Sequence, residues 1–441
     1  MTDTLKKINL FLIYILLVLQ LDIFFVIPMP DVFYKLESYT SKYLSIAIVV
    51  LIIVINLGKL PQFLHTSKIY GVTSCLILLF TTILLFYSKT LYDQSFSSSV
   101  TSAHQFYLLL LFFALYLVNP SKEMLFKIAK ATIVFSTIAS IILIFQSVLY
   151  LKNLTFLAQN ITAVTIQSPS FLFGLPRISE AADFVSFSIF IQSYLVATNK
   201  VKIRSIIFWT LTNFLYIIFI AQTRMYMIVD IVIVLLALVS LLNRKNIQFG
   251  IIIGLLALTI SAFAIHPIID QFVNGTRSIS YFVRIQALKF YYNEIPAKSF
   301  FGIGFPNGSQ DLVLHGGILN TLGYQYYLDD LGVFGFYVQF GLSSLFILVS
   351  FIGGTVRALI ISKEKIGVFL AIVYIGLTSI SLSLLNSQRI FYFAAILFFI
   401  SVISVESKSR KDKNLNLDEG GVCYDANSIP SVELQRRQGN N

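Results

Sequence analysis

Charge is scarce in this chain: Asp, Glu, Lys and Arg make up 12% of its 441 residues, about half the share found in a soluble domain. With 57% hydrophobic residues and a mean hydropathy of +0.82, that deficit excludes a water-soluble globular fold. Cysteine is nearly missing as well. Cys75 falls in an apolar run and Cys423 in a polar tail, which excludes a disulfide or a thiolate metal site. No Asp-x-Asp pair occurs in the segments read below as external, so neither a divalent metal nor another cofactor is expected. No internal repeat stands out, which argues against the matched halves of many transporters.

What fills the chain is apolar runs, most of them long enough to cross a hydrocarbon layer about 30 Å thick. In lipid the backbone must satisfy its own hydrogen bonds, so such runs are helices. We read twelve spans, near 8–27, 42–57, 69–88, 103–119, 131–151, 181–198, 203–222, 225–242, 247–266, 330–352, 366–384 and 389–405. The first follows Lys6 and Lys7 and lacks a small-residue cleavage site, so it is expected to be a retained anchor. Most of the 32 Lys and Arg fall at the ends that are cytoplasmic if both termini lie inside. The net charge of +11 is then a topological signal. No basic patch sits on a soluble module, and nucleic acid is not an expected partner.

The expected organisation is a membrane domain over 1–405 with a large external loop at 268–329, between the ninth and tenth spans, and a disordered cytoplasmic tail at 406–441. A second external loop covers 152–180. Long loops in compact proteins are usually functional. Within 268–329, residues 278–293 have helical periodicity, with Ile279, Val283, Ala287 and Phe290 on one face. Gly302, Gly304 and the Pro306-Asn307-Gly308 run that follow mark turns.

Five arginines are placed at the external end: Arg177, Arg224, Arg277, Arg284 and Arg389. Cations are disfavoured there, and two accounts of them stand. Each guanidinium reaches lipid headgroups, or together they bind phosphate, which the planar guanidinium fits. Arg277 and Arg284 lie two helical turns apart, about 10.5 Å along an axis, a span that brackets a diphosphate. Asp22 and Asp230 fall inside spans, where an ionisable residue is a functional hypothesis by default. Pairing of Asp230 with Arg224 is the structural alternative. Asp329 and Asp330 open the tenth span, either as reactive carboxylates or as favourable charges at a helix N-terminus. His315, in the long loop, is the histidine best placed to act as a base.

The stretch from Arg284 to Gly341 resembles the O-antigen ligase and Wzy-type polysaccharide polymerase superfamily. It carries Arg284-Ile-Gln-Ala-Leu, Phe301-Gly302-Ile303-Gly304, Asp329-Asp330-Leu331-Gly332-Val333-Phe334-Gly335 and Phe340-Gly341. The Gln222-Thr223-Arg224 turn is similar to a Ser-Arg step of that family. The His-Asn pair typical of ligases is missing, with Asp329-Asp330 in its place, and Leu288 stands where a tryptophan is usual. The resemblance implies an all-α, GT-C-like polytopic protein of about twelve spans in the bacterial cytoplasmic membrane. It further implies a glycosyltransferase that joins undecaprenyl-diphosphate-linked oligosaccharide units at the outer face. A flippase and a chain-length regulator would be partners, with membrane lipid around it. By that resemblance Arg284, Arg277, Arg224, Arg177 and Arg389 hold the diphosphate, and Asp330, Asp329 or His315 takes the hydroxyl proton. A ligase, a transporter and a non-catalytic assembly protein are the competing classes.

Overall fold

The computed structural model describes residues 3–22, 38–65, 68–152, 154, 175–243, 278–294, 300–306 and 326–419. Among the described residues the chain is helical and has no strand. In chain order the helices are α1 (Asp3–Leu19), α2 (Ser38–Ile55), α3 (Leu60–His65), α4 (Gly71–Tyr92), α5 (Phe96–Ala103), α6 (Leu110–Val118), α7 (Lys122–Tyr150) and α8 (Ala182–Ala197). They continue with α9 (Ile203–Leu215), α10 (Arg224–Asn243), α11 (Ser278–Glu294), α12 (Gly332–Phe340), α13 (Ser343–Ile361), α14 (Lys365–Thr378) and α15 (Ile390–Glu419).

Their ends follow local chemistry. Ser95 Oγ accepts from the Ser98 amide at 3.1 Å and Ser121 Oγ from the Met124 amide at 3.3 Å, capping α5 and α7. Asp93 and Asn119 close α4 and α6 in the left-handed conformation, each with φ of 49°, which short polar side chains tolerate. Among the described residues six helical stretches are long and apolar enough to cross a membrane. The number is seven if Ser41–Ile55 and Leu57–Leu64, bent by 56°, count as one. This is the composition of a multi-pass membrane protein.

At the centre stands α8. Every residue of it except Asp183 and Ile191 is buried, and a helix apolar on all sides belongs in a core. It packs on α7, α9, α10 and α14. Polar side chains tie these neighbours together: Ser136 Oγ donates to Ser188 Oγ at 2.7 Å, Asn213 Nδ2 to Ser136 Oγ at 3.0 Å, and Ser140 Oγ to Asn213 Oδ1 at 3.0 Å. Where water is excluded, such pairs hold helices together at about 0.6 kcal/mol each. At one end of the bundle, Lys200 Nζ meets Glu364 Oε2 at 3.0 Å. The arginines gather at the opposite end.

Several expected boundaries move. The run at 330–352 is two helices: α12 ends at Gly341, and the membrane-length helix is α13, at 343–361. The stretch expected at 103–119 begins at Phe96 and holds a 3-10 turn over His104–Leu109, where the His104 ring nitrogen bonds the Thr101 carbonyl at 2.6 Å. The last helix continues through Glu419, past the point where the tail was expected to leave regular structure. Residues 247–266 and 420–441 lie outside the described residues, as do most of the 152–180 and 268–329 loops.

The break at Gly341 has a cause. Residues 300–305 cross the C-terminal end of α12: Ile303 and Gly304 donate to the Val338 and Gln339 carbonyls at 3.0 Å each, and the Ser343 amide donates to Phe300 O at 3.0 Å. These bonds satisfy carbonyls that a helix end leaves unpaired. The approach requires glycine at 302, where φ is +63° and a Cβ would lie 2.2 Å from the Val338 oxygen. At the other end of α12, Gly332 has φ of +61°, and its Cβ would lie 2.2 Å from Ser379 O. Gly302 and Gly332 of the Arg284–Gly341 stretch are therefore accounted for by close backbone packing.

Candidate functional site

The helix expected at 278–293 is α11. Ala287 and Tyr291 on it are buried against Ile303, Tyr326, Leu328, Leu331 and Val338, and Tyr291 Oη donates to Tyr326 O at 3.0 Å. This small apolar cluster fixes α11 over the turn that carries Asp329 and Asp330. Arg284 Nη2 consequently lies 3.3 Å from Asp330 Oδ2, the two side chains being 25% and 42% exposed.

Arg177 precedes α8 and is stitched to the end of the seventh expected span. That span finishes in a π-turn, Tyr216–Ala221, closed by Gln222 with φ of 48°. Its last carbonyls find partners outside the helix. Gln222 Nε2 donates to Phe219 O at 3.1 Å, the Ile178 amide to Ile220 O at 3.0 Å, and Arg177 Nε to Ala221 O at 3.0 Å. Burial pushes the Arg177 pKa down, while Glu180, Tyr216 and Asp330 pull it back up and Arg284 pushes it further down. Arg224 opens α10 within electrostatic reach of both Arg284 and Arg177. Three guanidinium groups thus repel one another at one place, offset there by Asp330 and Glu180.

Arg389 belongs to a second group beside this one. Its Nε lies 3.0 Å from Asp183 Oδ2 and 3.3 Å from Tyr226 Oη, and Tyr226 Oη donates to Asp183 Oδ1 at 2.6 Å. Arg389 is buried, and Asp183, Tyr226 and Asp329 all lie within electrostatic reach of it. Asp329 joins the two groups. Its backbone carbonyl accepts from Asn386 Nδ2 at 2.7 Å. Burial pushes its carboxyl above the ordinary range, against the pull of Arg389 and with the help of Asp330 and Asp183.

Of the residues singled out from the sequence, Arg177, Arg224, Arg284, Arg389, Asp329 and Asp330 are thus brought to one end of the bundle. Arg277 and His315 lie outside the described residues. Asp230 is buried in α10, where Oδ1 accepts from Ser186 Oγ at 2.7 Å; its bonded partner is Ser186, not Arg224. Sequence reasoning missed Tyr226, Asn386 and Lys42. Lys42 is 4% exposed, at the start of an apolar run, and that position was the available signal. Tyr226 gave none, being one of 23 tyrosines in a chain rich in aromatics. Among the described residues no group of His, Cys, Asp and Glu is arranged to hold a metal ion. No protein-family model and no curated protein sequence matches the chain.

Proposed function

We propose that this protein polymerises lipid-linked oligosaccharide repeat units at the outer face of the bacterial cytoplasmic membrane. In this reading the chain makes about twelve spans in a GT-C-like arrangement, with both termini cytoplasmic. The observation that carries the proposal is the convergence of Arg177, Arg224 and Arg284 at one end of an apolar bundle, beside the carboxylates of Asp329 and Asp330. Three fixed guanidinium groups brought to one partly solvated place suit an anion, and a diphosphate that leaves during reaction is one whose charge grows in the transition state.

The step is glycosyl transfer. An acceptor hydroxyl oxygen attacks the anomeric carbon of the donor chain and forms the new C–O bond. The bond from that carbon to the diphosphate oxygen breaks, and its electron pair leaves with undecaprenyl diphosphate. The hydroxyl proton passes to a carboxylate. Asp330 is tied to Arg284, and a diphosphate competing for Arg284 frees it. Asp329 is the better base by environment, because its raised pKa lies closer to working pH. If it is the base, transfer falls with acidification through a pKa above the ordinary carboxylate range, since the deprotonated form is the active one. Asp329→Asn should remove most activity and the acid limb with it. An unchanged pH profile in a still-active Asp329→Asn enzyme would assign the base elsewhere.

The reading is tested by deleting the gene and following lipid-linked sugars. Single repeat units accumulating on the outer leaflet, with polymer missing, are expected. Units held on the inner leaflet would identify a transporter, and finished polymer left on its lipid carrier a ligase.

A further inference from the structure

Beside the arginine cluster lies a small cavity of about 40 Å³. It has a character of its own. From the first two helical segments come Gln20, Asp22 and Lys42, from the start of α8 come Glu180 and Asp183, and Gln388 and Tyr392 close it. Lys42 Nζ donates to Gln20 Oε1 at 2.9 Å, and Gln20 Nε2 donates to Ser45 Oγ at 3.0 Å. Gln20 and Lys42 are 2% and 4% exposed, so this is a built polar chamber inside an apolar bundle. Three carboxylates and one ammonium line it, and with Asp183 paired to Arg389 two carboxylates, Asp22 and Glu180, remain beside Lys42, unlike the Arg177, Arg224 and Arg284 group next to it.

One atom in the chamber wall asks for a ligand. Glu180 Oε2 is buried without a hydrogen-bond partner. A buried polar atom left unpaired is costly, by about 1–3 kcal/mol and more when charged. A carboxylate oxygen accepts, and a hydroxyl group can donate to it. The acidic balance turns away phosphate. A water-sized group needs roughly 10–15 Å³ by this measure, so the chamber takes a few hydroxyls at the edge of a sugar, not a whole ring.

We infer that this chamber is the acceptor subsite, which receives the phosphate-free terminal sugar whose hydroxyl attacks the donor. The inference rests on the polymerase reading and adds to it a division of labour. Arg177, Arg224 and Arg284 hold the diphosphate end of one unit, and Glu180, Asp183 and Gln388 hold hydroxyls of the other. Asp183 connects the two halves through Arg389.

The test uses the full-length protein in lipid nanodiscs with two substrates from the deletion strain. One is the accumulated lipid-linked unit as donor, the other the same oligosaccharide freed of lipid by mild acid, as a soluble acceptor. Asp22→Asn and Gln388→Ala are expected to raise the KM for the soluble acceptor at least tenfold. The KM for the lipid-linked donor, and the slow release of undecaprenyl diphosphate to water without acceptor, should change less than threefold. Gln388 is solvent-exposed, so its variant guards against a mere failure to fold. Equal loss of both half-reactions in either variant would overturn the assignment, and so would no change in both, which would leave the chamber to water. If wild-type protein neither releases the carrier nor extends the acceptor, the polymerase reading itself fails, and that outcome is distinct from the others.

Discussion

Replacing Arg284 by alanine is expected to abolish polymer formation while the protein accumulates in the membrane at its normal level. Both halves follow from the geometry. The Arg284–Asp330 pair is partly solvated, at 25% and 42% exposure, and such pairs contribute about 0–1 kcal/mol to stability. The apolar contacts that seat α11, Ala287 and Tyr291 against Ile303 and Leu331, do not involve the guanidinium. Transition-state stabilisation is a different matter. A preorganised donor to developing charge is worth about 10²–10³ in rate. Removing it should lower transfer at least a hundredfold, read as loss of polymer on gels together with a build-up of single lipid-linked units. Arg284→Lys should recover little, because a lysine retains the charge and loses the planar fork that meets two oxygens. Normal polymer in an Arg284→Ala strain with normal protein abundance would remove the diphosphate clamp from the mechanism.

Much of the architecture was legible because lipid makes the code simple. Wherever about twenty apolar residues run together the backbone has one solution, and α4, α7, α10 and the α9 stretch end within a few residues of expectation, apart from the start of α7. The failures are at places where backbone meets backbone. The break between α12 and α13 depends on residues 300–305 crossing the end of α12, a contact that hydropathy does not encode. The glycines at 302 and 341 record it only in hindsight. For the site, depth was readable and pairing was not. Arg177, Arg224 and Arg389 could be placed at one end because each sits at a span boundary, and Arg284 because it falls in the long loop read on that side. Arg389 and Tyr226 are 163 residues apart, and Tyr226 and Asp183 are 43 apart. Such distances carry no periodic signal, and a tyrosine in an apolar run reads as packing. The chamber was hidden for the same reason, since Gln20, Lys42, Glu180 and Gln388 come from four separate stretches and meet only after the helices assemble.

The second large effect concerns Arg389, and it is expected in stability before it is seen in rate. Its guanidinium side chain is 10% exposed and that of Asp183 28%, with Tyr226 closing the triangle. Arg389→Ala leaves the Asp183 carboxylate, still bonded to the Tyr226 hydroxyl, without its cation in a partly buried place. Breaking a buried pair from one side costs about 3–5 kcal/mol, because the desolvation of the surviving charge is no longer offset. Thermal unfolding of the purified protein in detergent should drop by several degrees, and abundance in the membrane should fall. The double change Arg389→Met with Asp183→Leu removes both charges and should recover most of that loss. It should not restore polymer, since the cation next to Asp329 is then gone. This contrast separates the two arginines: Arg284 matters to the reaction and little to the fold, whereas Arg389 matters to both. A single Arg389→Ala variant with wild-type unfolding temperature would show that the Asp183–Tyr226–Arg389 triangle is solvated in the membrane. Arg389 would then belong with Arg284, as a surface cation whose only role is to meet the substrate.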